Sequence, residues 1–159
     1  MELNQIVQQF ALEGEIESIR PLGEGFINDT FLVKTVGDAP DYILQRKNHK
    51  VFPNVPEMMD NIVKVTAHMK AKITNAGGDP MRETLTVIFT KDGLPYLYDE
   101  PNYWAMCVFI KGSVTIDNAT SLDLCYKGGQ GIGRFQKMLA DYTSPLHETI
   151  KGFHNIKFR

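Results

Sequence analysis

Cysteine and tryptophan are scarce in this chain: two and one, respectively, in 159 residues. Cys107 and Cys125 lack CxxC spacing, and Cys107 falls inside the apolar run Trp104-Ala105-Met106-Cys107-Val108-Phe109-Ile110. Buried free thiols are therefore expected, not a disulfide framework or a structural zinc site. Charge of one sign is also missing. The formal net charge is −2, with Lys and Arg scattered along the chain, so there is no electrostatic footprint for nucleic acid or an anionic membrane. No stretch approaches the roughly 20 apolar residues of a membrane span. Met1-Glu2-Leu3-Asn4-Gln5 is neither basic nor followed by an apolar run of signal-peptide length. The expectation is a cytoplasmic protein with no nucleic-acid and no membrane partner. No internal repeat or low-complexity tract appears.

With 43% apolar and 23% charged residues, a chain of this length can bury one sizeable core and the beginning of a second. Leu3, Ile6, Val7 and Phe10 recur at helical spacing and predict a short amphipathic helix over residues 2–12, ended by Gly14. From Glu15 the pattern becomes strand-like. Strands are predicted at 16–22 and 30–36, joined by Gly23-Glu24-Gly25-Phe26-Ile27-Asn28, and at 42–46 after the turn Gly37-Asp38-Ala39-Pro40. Pro53 and Pro56 precede a run with Met58, Ile62, Val65 and Met69 on one face, a helix over about 56–72. Next come a hairpin, 85–90 and 94–98 around Lys91-Asp92-Gly93, and the nearly all-apolar strand 104–110. A second long helix is expected from about Ser121 to Tyr142, with Ile132, Phe135, Leu139 and Tyr142 as its buried stripe.

Within that helix lies Gly128-Gly129-Gln130-Gly131-Ile132-Gly133. A dinucleotide fingerprint should directly follow a strand; here a helical stripe runs through it, so small residues that permit close helix packing are the better account.

The layout strand, glycine-rich turn, strand, strand, helix and further strands ending in an apolar run is that of a protein-kinase-like small lobe. The segment Pro21-Leu22-Gly23-Glu24-Gly25-Phe26-Ile27-Asn28-Asp29-Thr30-Phe31-Leu32-Val33, then Tyr42-Ile43-Leu44-Gln45-Arg46 and Trp104 to Ile110, resembles the phosphotransferase family that includes aminoglycoside and choline kinases. Phe135-Gln136 and Glu148-Thr149-Ile150-Lys151-Gly152-Phe153-His154 are similar to its sugar 1-kinase branch. The resemblance implies an α+β fold: an antiparallel five-stranded sheet with a packed helix over residues 1–112, then a linker and the first helices of a second lobe over 113–159. It implies an ATP-dependent sugar kinase that uses magnesium.

The resemblance also assigns residues. Glycines at 23 and 25 would let backbone N–H groups of the turn, Gly23 to Asn28 with Thr30 beyond it, approach phosphate oxygens without a Cβ in the way; an ordinary hairpin turn needs glycine too. The kinase pattern has a third glycine where Asn28 stands. On the third strand the lysine that binds the α- and β-phosphates is replaced by Gln45. Lys47, two residues along on the same face as Ile43 and Gln45, is the candidate for the missing charge. Glu57 and Asp60 are candidate partners for it, although both are placed in the first helical turn, where acids complement the helix dipole. Val108, Phe109 and Ile110 would form the hinge, with free backbone groups for adenine.

The family's His-x-Asp loop is missing. His49, His68, His147 and His154 are followed two places on by Val51, Lys70, Thr149 and Ile156, and no Asp has an Asn five residues later. The general base and the magnesium ligands are thus expected beyond Arg159, the sugar acceptor is expected to bind through the missing lobe, and no catalytic or metal-binding residue is assigned within the chain. The alternatives are a non-catalytic nucleotide-binding or interaction module, or another enzyme of mucin glycans such as a sulfatase. The last needs Cys or Ser in a C/S-x-P-x-R setting, and Cys107 and Cys125 are followed two places on by Phe109 and Lys127.

Overall fold

Period-two burial on the third strand organises the fold. A computed structural model, which describes residues 1–23 and 27–158, shows a mixed α+β chain built on an antiparallel sheet. The elements run α1 (Leu3–Val7), β1 (Ile16–Pro21), β2 (Asp29–Thr35), β3 (Tyr42–Lys47), α2 (Val55–Asn75), α3 (Pro80–Glu83), β4 (Val87–Ile88), β5 (Leu97–Asp99), β6 (Asn102–Val108) and α4 (Leu122–Leu139). The sheet order is β1-β2-β3-β6-β4, and β5 pairs with the beginning of β6.

Alternation along β3 divides two cores. Tyr42 and Leu44 point to one face, where with Trp104 and Met106 they pack on Ile6, Val7 and Phe10 from the α1 end. Leu44 is fully buried, so its truncation to alanine should cost about 2–5 kcal/mol. Ile43, Gln45 and Lys47 belong to the other face, opposite Cys107, Ala105 and Tyr103 of β6. Across that face lies α2, whose Val55 and Met59 pack on Ala105. This helix begins where expected: Asn54 Oδ1 accepts the Glu57 N–H at 3.2 Å, and a proline occupies its first turn.

Several expectations are corrected. The sheet has six strands, not five. Residues 85–90 and 94–98 do not form a hairpin ladder: β4 and β5 each pair with β6 instead. The turn at Gly93 does close, with φ +80° and Thr90 N–H on Leu94 C=O. The backbone beside it is engaged by the α1 end, since Ala11 N–H donates to Phe89 C=O and Lys91 N–H to Gln9 C=O, both at 2.8 Å. The strand 104–110 is displaced to 102–108, so Phe109 and Ile110 lie past its end. The short α3, capped by Asp79 on the Met81 N–H, is unanticipated.

The long helix α4 is real and starts at its cap Ser121, whose Oγ accepts the Leu124 N–H. Its apolar stripe is not buried, however. Ile132 is 65% exposed and Phe135 47%. Helical periodicity marks an apolar face without saying what covers it. The glycine explanation fails with it: a Cβ at Gly128, Gly129, Gly131 or Gly133 would meet nothing within 4 Å. Neither cysteine is fully buried, and Cys125 is exposed.

Candidate functional site

The face of β3 carrying Ile43, Gln45 and Lys47 forms the floor of a cleft of about 430 Å³, and the cleft collects residues from five parts of the chain. Leu22 comes from the end of β1, Met59 and Ile62 from α2, Val87 from β4, and Cys107 and Val108 from β6. Phe109 and Ile110 close one end. The alternation that sends Leu44 to the opposite core is what delivers the three β3 side chains here.

Polar groups in this apolar setting are arranged in a chain. Lys47 Nζ donates to Gln45 Oε1 at 2.6 Å, and Gln45 Nε2 donates to Thr30 Oγ1 at 3.2 Å. Among the described residues no carboxylate lies within ion-pair distance of Lys47. Burial lowers the Lys47 ammonium below the ordinary lysine value, opposed by Cys107. The same burial pushes the Cys107 thiol up to about 11, opposed by Lys47. Cys107 is therefore a protonated, poorly nucleophilic wall at neutral pH, and Lys47 is a half-buried cation with no carboxylate beside it among the described residues.

At the other end the backbone leaves the sheet. Val108 N–H donates to Thr86 C=O and Phe109 N–H to Asp41 C=O. The next two groups, Phe109 C=O and Ile110 N–H, have no protein partner among the described residues. This end is fixed in place: Asp41 accepts the Thr35 N–H at 3.0 Å and pairs with Lys111 at 3.5 Å, and Arg82 donates to Lys111 C=O at 2.7 Å. The Thr35 N–H bond, together with Lys111, holds the Asp41 carboxyl below the usual carboxylate range against the effect of burial. An adjacent acceptor and donor beside apolar walls, with a cation at the far end, suit a ligand with a flat polar-edged ring and an anionic tail.

Of the residues singled out in the sequence, Ile43, Gln45, Lys47, Val108, Phe109 and Ile110 come together in this cleft. Thr30 lies behind them, holding Gln45. Gly23 has φ +71° and open space where a Cβ would be, Ile27 is exposed, and Asn28 Oδ1 accepts the Asn48 N–H at 3.0 Å; none of the three lines the cleft. Glu24, Gly25 and Phe26 lie outside the described residues. Arg46 is on the opposite face, paired with Asp29 and 6.0 Å from the Trp104 ring centre. Glu57 and Asp60 face His147, and Asp60 also binds Lys64 at 2.6 Å. Only Glu57 belongs to the first turn of α2.

Asp41 carries no motif and was not legible as a positioning residue. Ile62 was legible only as part of an apolar stripe. A larger hollow of about 740 Å³ lies between α1 and β1, but Glu15 and Glu17 line it with Lys91 as its one cation among the described lining residues, which disfavours an anionic ligand. Among the described residues, no group of three His, Cys, Asp or Glu could hold a metal ion, and no helix is long and apolar enough to cross a membrane. No model of a known protein family matches this sequence.

Proposed function

We propose that this chain is the nucleotide-binding part of an ATP-dependent phosphotransferase with a protein-kinase-like small lobe, acting on a sugar hydroxyl in the manner of an N-acetylhexosamine 1-kinase. The observation that carries the reading is the convergence on one cleft of Lys47, held by Gln45, and the unpaired backbone groups of Phe109 and Ile110. Adenine fits between Ile43, Val87 and the 108–110 segment, with Phe109 C=O and Ile110 N–H on its polar edge. Lys47 meets the phosphates, and its lowered proton affinity is restored by their charge.

Magnesium, when bound, neutralises the charge of the transferring phosphoryl group; the proposal places its ligands and the general base outside these residues. The chain by itself then holds nucleotide without turning it over. Calorimetric titration with Mg-ATP tests this. Saturable binding, weakened roughly tenfold or more by Lys47→Ala, is expected. No heat of binding at millimolar nucleotide, or ADP formation dependent on added N-acetylhexosamine, would contradict it.

A further inference from the structure

Around the end of β3, Arg46 and Lys47 from opposite faces of the strand line one polar hollow of about 340 Å³, together with Asp29, His49 and Lys50. Three cations and an imidazole border this space, and Asp29 is the one carboxylate among the described lining residues. Ile27 is the one apolar residue among them, so the hollow offers charge and hydrogen bonds but no wall for a flat apolar group.

The charges do not balance. Asp29 is engaged by Arg46: its Oδ2 accepts from Nε at 2.6 Å and also pairs with Nη2. Lys47 is held by the neutral Gln45, and among the described residues no carboxylate lies within ion-pair distance of Lys47 or Lys50. Unanswered cations around a concave surface raise the local concentration of anions.

The wall that carries His49 and Lys50 is an organised turn. Asn48 C=O accepts the Val51 N–H at 3.1 Å and the Phe52 N–H at 2.9 Å, and Asn48 Oδ1 accepts the Lys50 N–H at 3.0 Å. The Asn48 N–H donates to Asn28 Oδ1 at 3.0 Å, which ties the turn to the residue before β2. The His49 ring lies 6.4 Å from that of Tyr103, and the His49 N–H has no protein partner among the described residues. Arg46, with Nε and Nη2 on Asp29, keeps its remaining N–H groups.

We propose that this hollow binds a phosphoryl dianion, free or at the end of a small phosphomonoester, through Lys50, His49 and the spare donors of Arg46, with Lys47 as the wall it shares with the nucleotide cleft. Charge-assisted bonds from Arg and Lys are the strong ones for phosphate, and a guanidinium presents its donors as a planar fork. The site stands on its own charges, whether or not the neighbouring cleft takes a nucleotide.

Inorganic phosphate and glycerol phosphate are the probes, titrated into the full chain at constant ionic strength so that general screening is fixed. Calorimetry and phosphorus NMR report binding, and the tighter of the two probes tells a free anion from an ester. Saturable binding in the millimolar range or tighter is expected. Lys50→Gln, which removes one exposed charge and should keep the thermal midpoint, and Arg46→Ala should each weaken it roughly tenfold, with a much smaller change in ATP affinity. No binding of either probe, or the parent affinity in both variants, overturns the site. ATP affinity that falls as steeply as phosphate affinity in Lys50→Gln also overturns it, by making the hollow the seat of the nucleotide's own terminal phosphate. Phosphate binding that is lost in both variants, in a chain that takes no ATP, upholds the hollow and refutes the nucleotide reading instead.

Discussion

Lys47 and Gln45 stand two residues apart on one face of β3, and the lysine ammonium donates to the glutamine carbonyl oxygen at 2.6 Å. Gln45 in turn leans on Thr30 of the neighbouring strand. The glutamine thus acts as a bracket for a cation placed two residues later; in the proposed phosphotransferase reading the pair divides between two side chains the work of one kinase lysine.

That division predicts a ranking of ATP affinities. Lys47→Ala should cost about 1.5–3 kcal/mol, the range for a hydrogen bond involving a charged group, and Gln45→Ala about 0.5–1.5 kcal/mol, for a neutral contact and a loosened bracket. Arg46→Ala should cost less than either, because Arg46 lies on the opposite face of the strand and is paired with Asp29. Dissociation constants for the three variants check this. A loss concentrated at Arg46 would contradict the assignment of that strand face to the ligand.

Removing the charge while keeping the volume should separate stability from binding. A half-buried cation with no carboxylate beside it among the described residues is costly to desolvate, so Lys47→Met should be at least as stable as the parent at pH 7 while losing ATP affinity. Since burial lowers the folded-state value, the penalty is present in full below that value. As pH rises toward about 10.4 the folded lysine gives up its proton before the unfolded one does, and the parent regains stability. Denaturant midpoints at pH 7 and pH 10 read both effects; a strongly destabilised Met variant at pH 7 would refute the account of the buried charge.

Asp41 should behave in the opposite sense. Its carboxyl is held below the usual range, so it contributes stability above the unfolded value of about 3.9, and this is lost as pH falls through the lower folded value. Asp41→Ala, which strands the Thr35 N–H, should cost about 1.5–3 kcal/mol at pH 7. The two proteins should converge in acid. A constant difference from pH 7 to pH 2 would mean the carboxylate charge is not involved.

Much of the site was legible because it obeys a local rule. Period two along residues 42–47 sorts Leu44 from Gln45 whatever the rest of the chain does, and the apolar run at 104–108 had to be central. The remainder depends on contacts distant in sequence. The pairing of Ala11 with Phe89 that opens the predicted hairpin, and that of Asn61 with His147 that fastens the C-terminal segment to α2, join residues 78 and 86 positions apart. Neither leaves a trace in local periodicity. The α4 stripe shows the reverse case: the pattern was read correctly as helix and wrongly as buried.

The exposed glycines of α4 offer a direct check of that correction. With open space at each Cβ position, Gly128→Ala and Gly131→Ala should each raise stability, by up to about 1 kcal/mol from helix propensity alone. Circular dichroism with denaturant titration measures it. Destabilisation in both variants would restore the view that close packing requires these glycines.

The central claim is that the face of β3 carrying Lys47 binds ATP together with the 108–110 segment, and hydrogen–deuterium exchange of the full chain with and without saturating Mg-ATP tests it most directly. Added nucleotide should slow exchange at residues 43–47 and at Ile110, while peptides of α1 and β1 beside the larger hollow remain unchanged. Protection confined to the α1–β1 side, or no change at 43–47 and 110 under conditions where calorimetry shows the nucleotide bound, would contradict it.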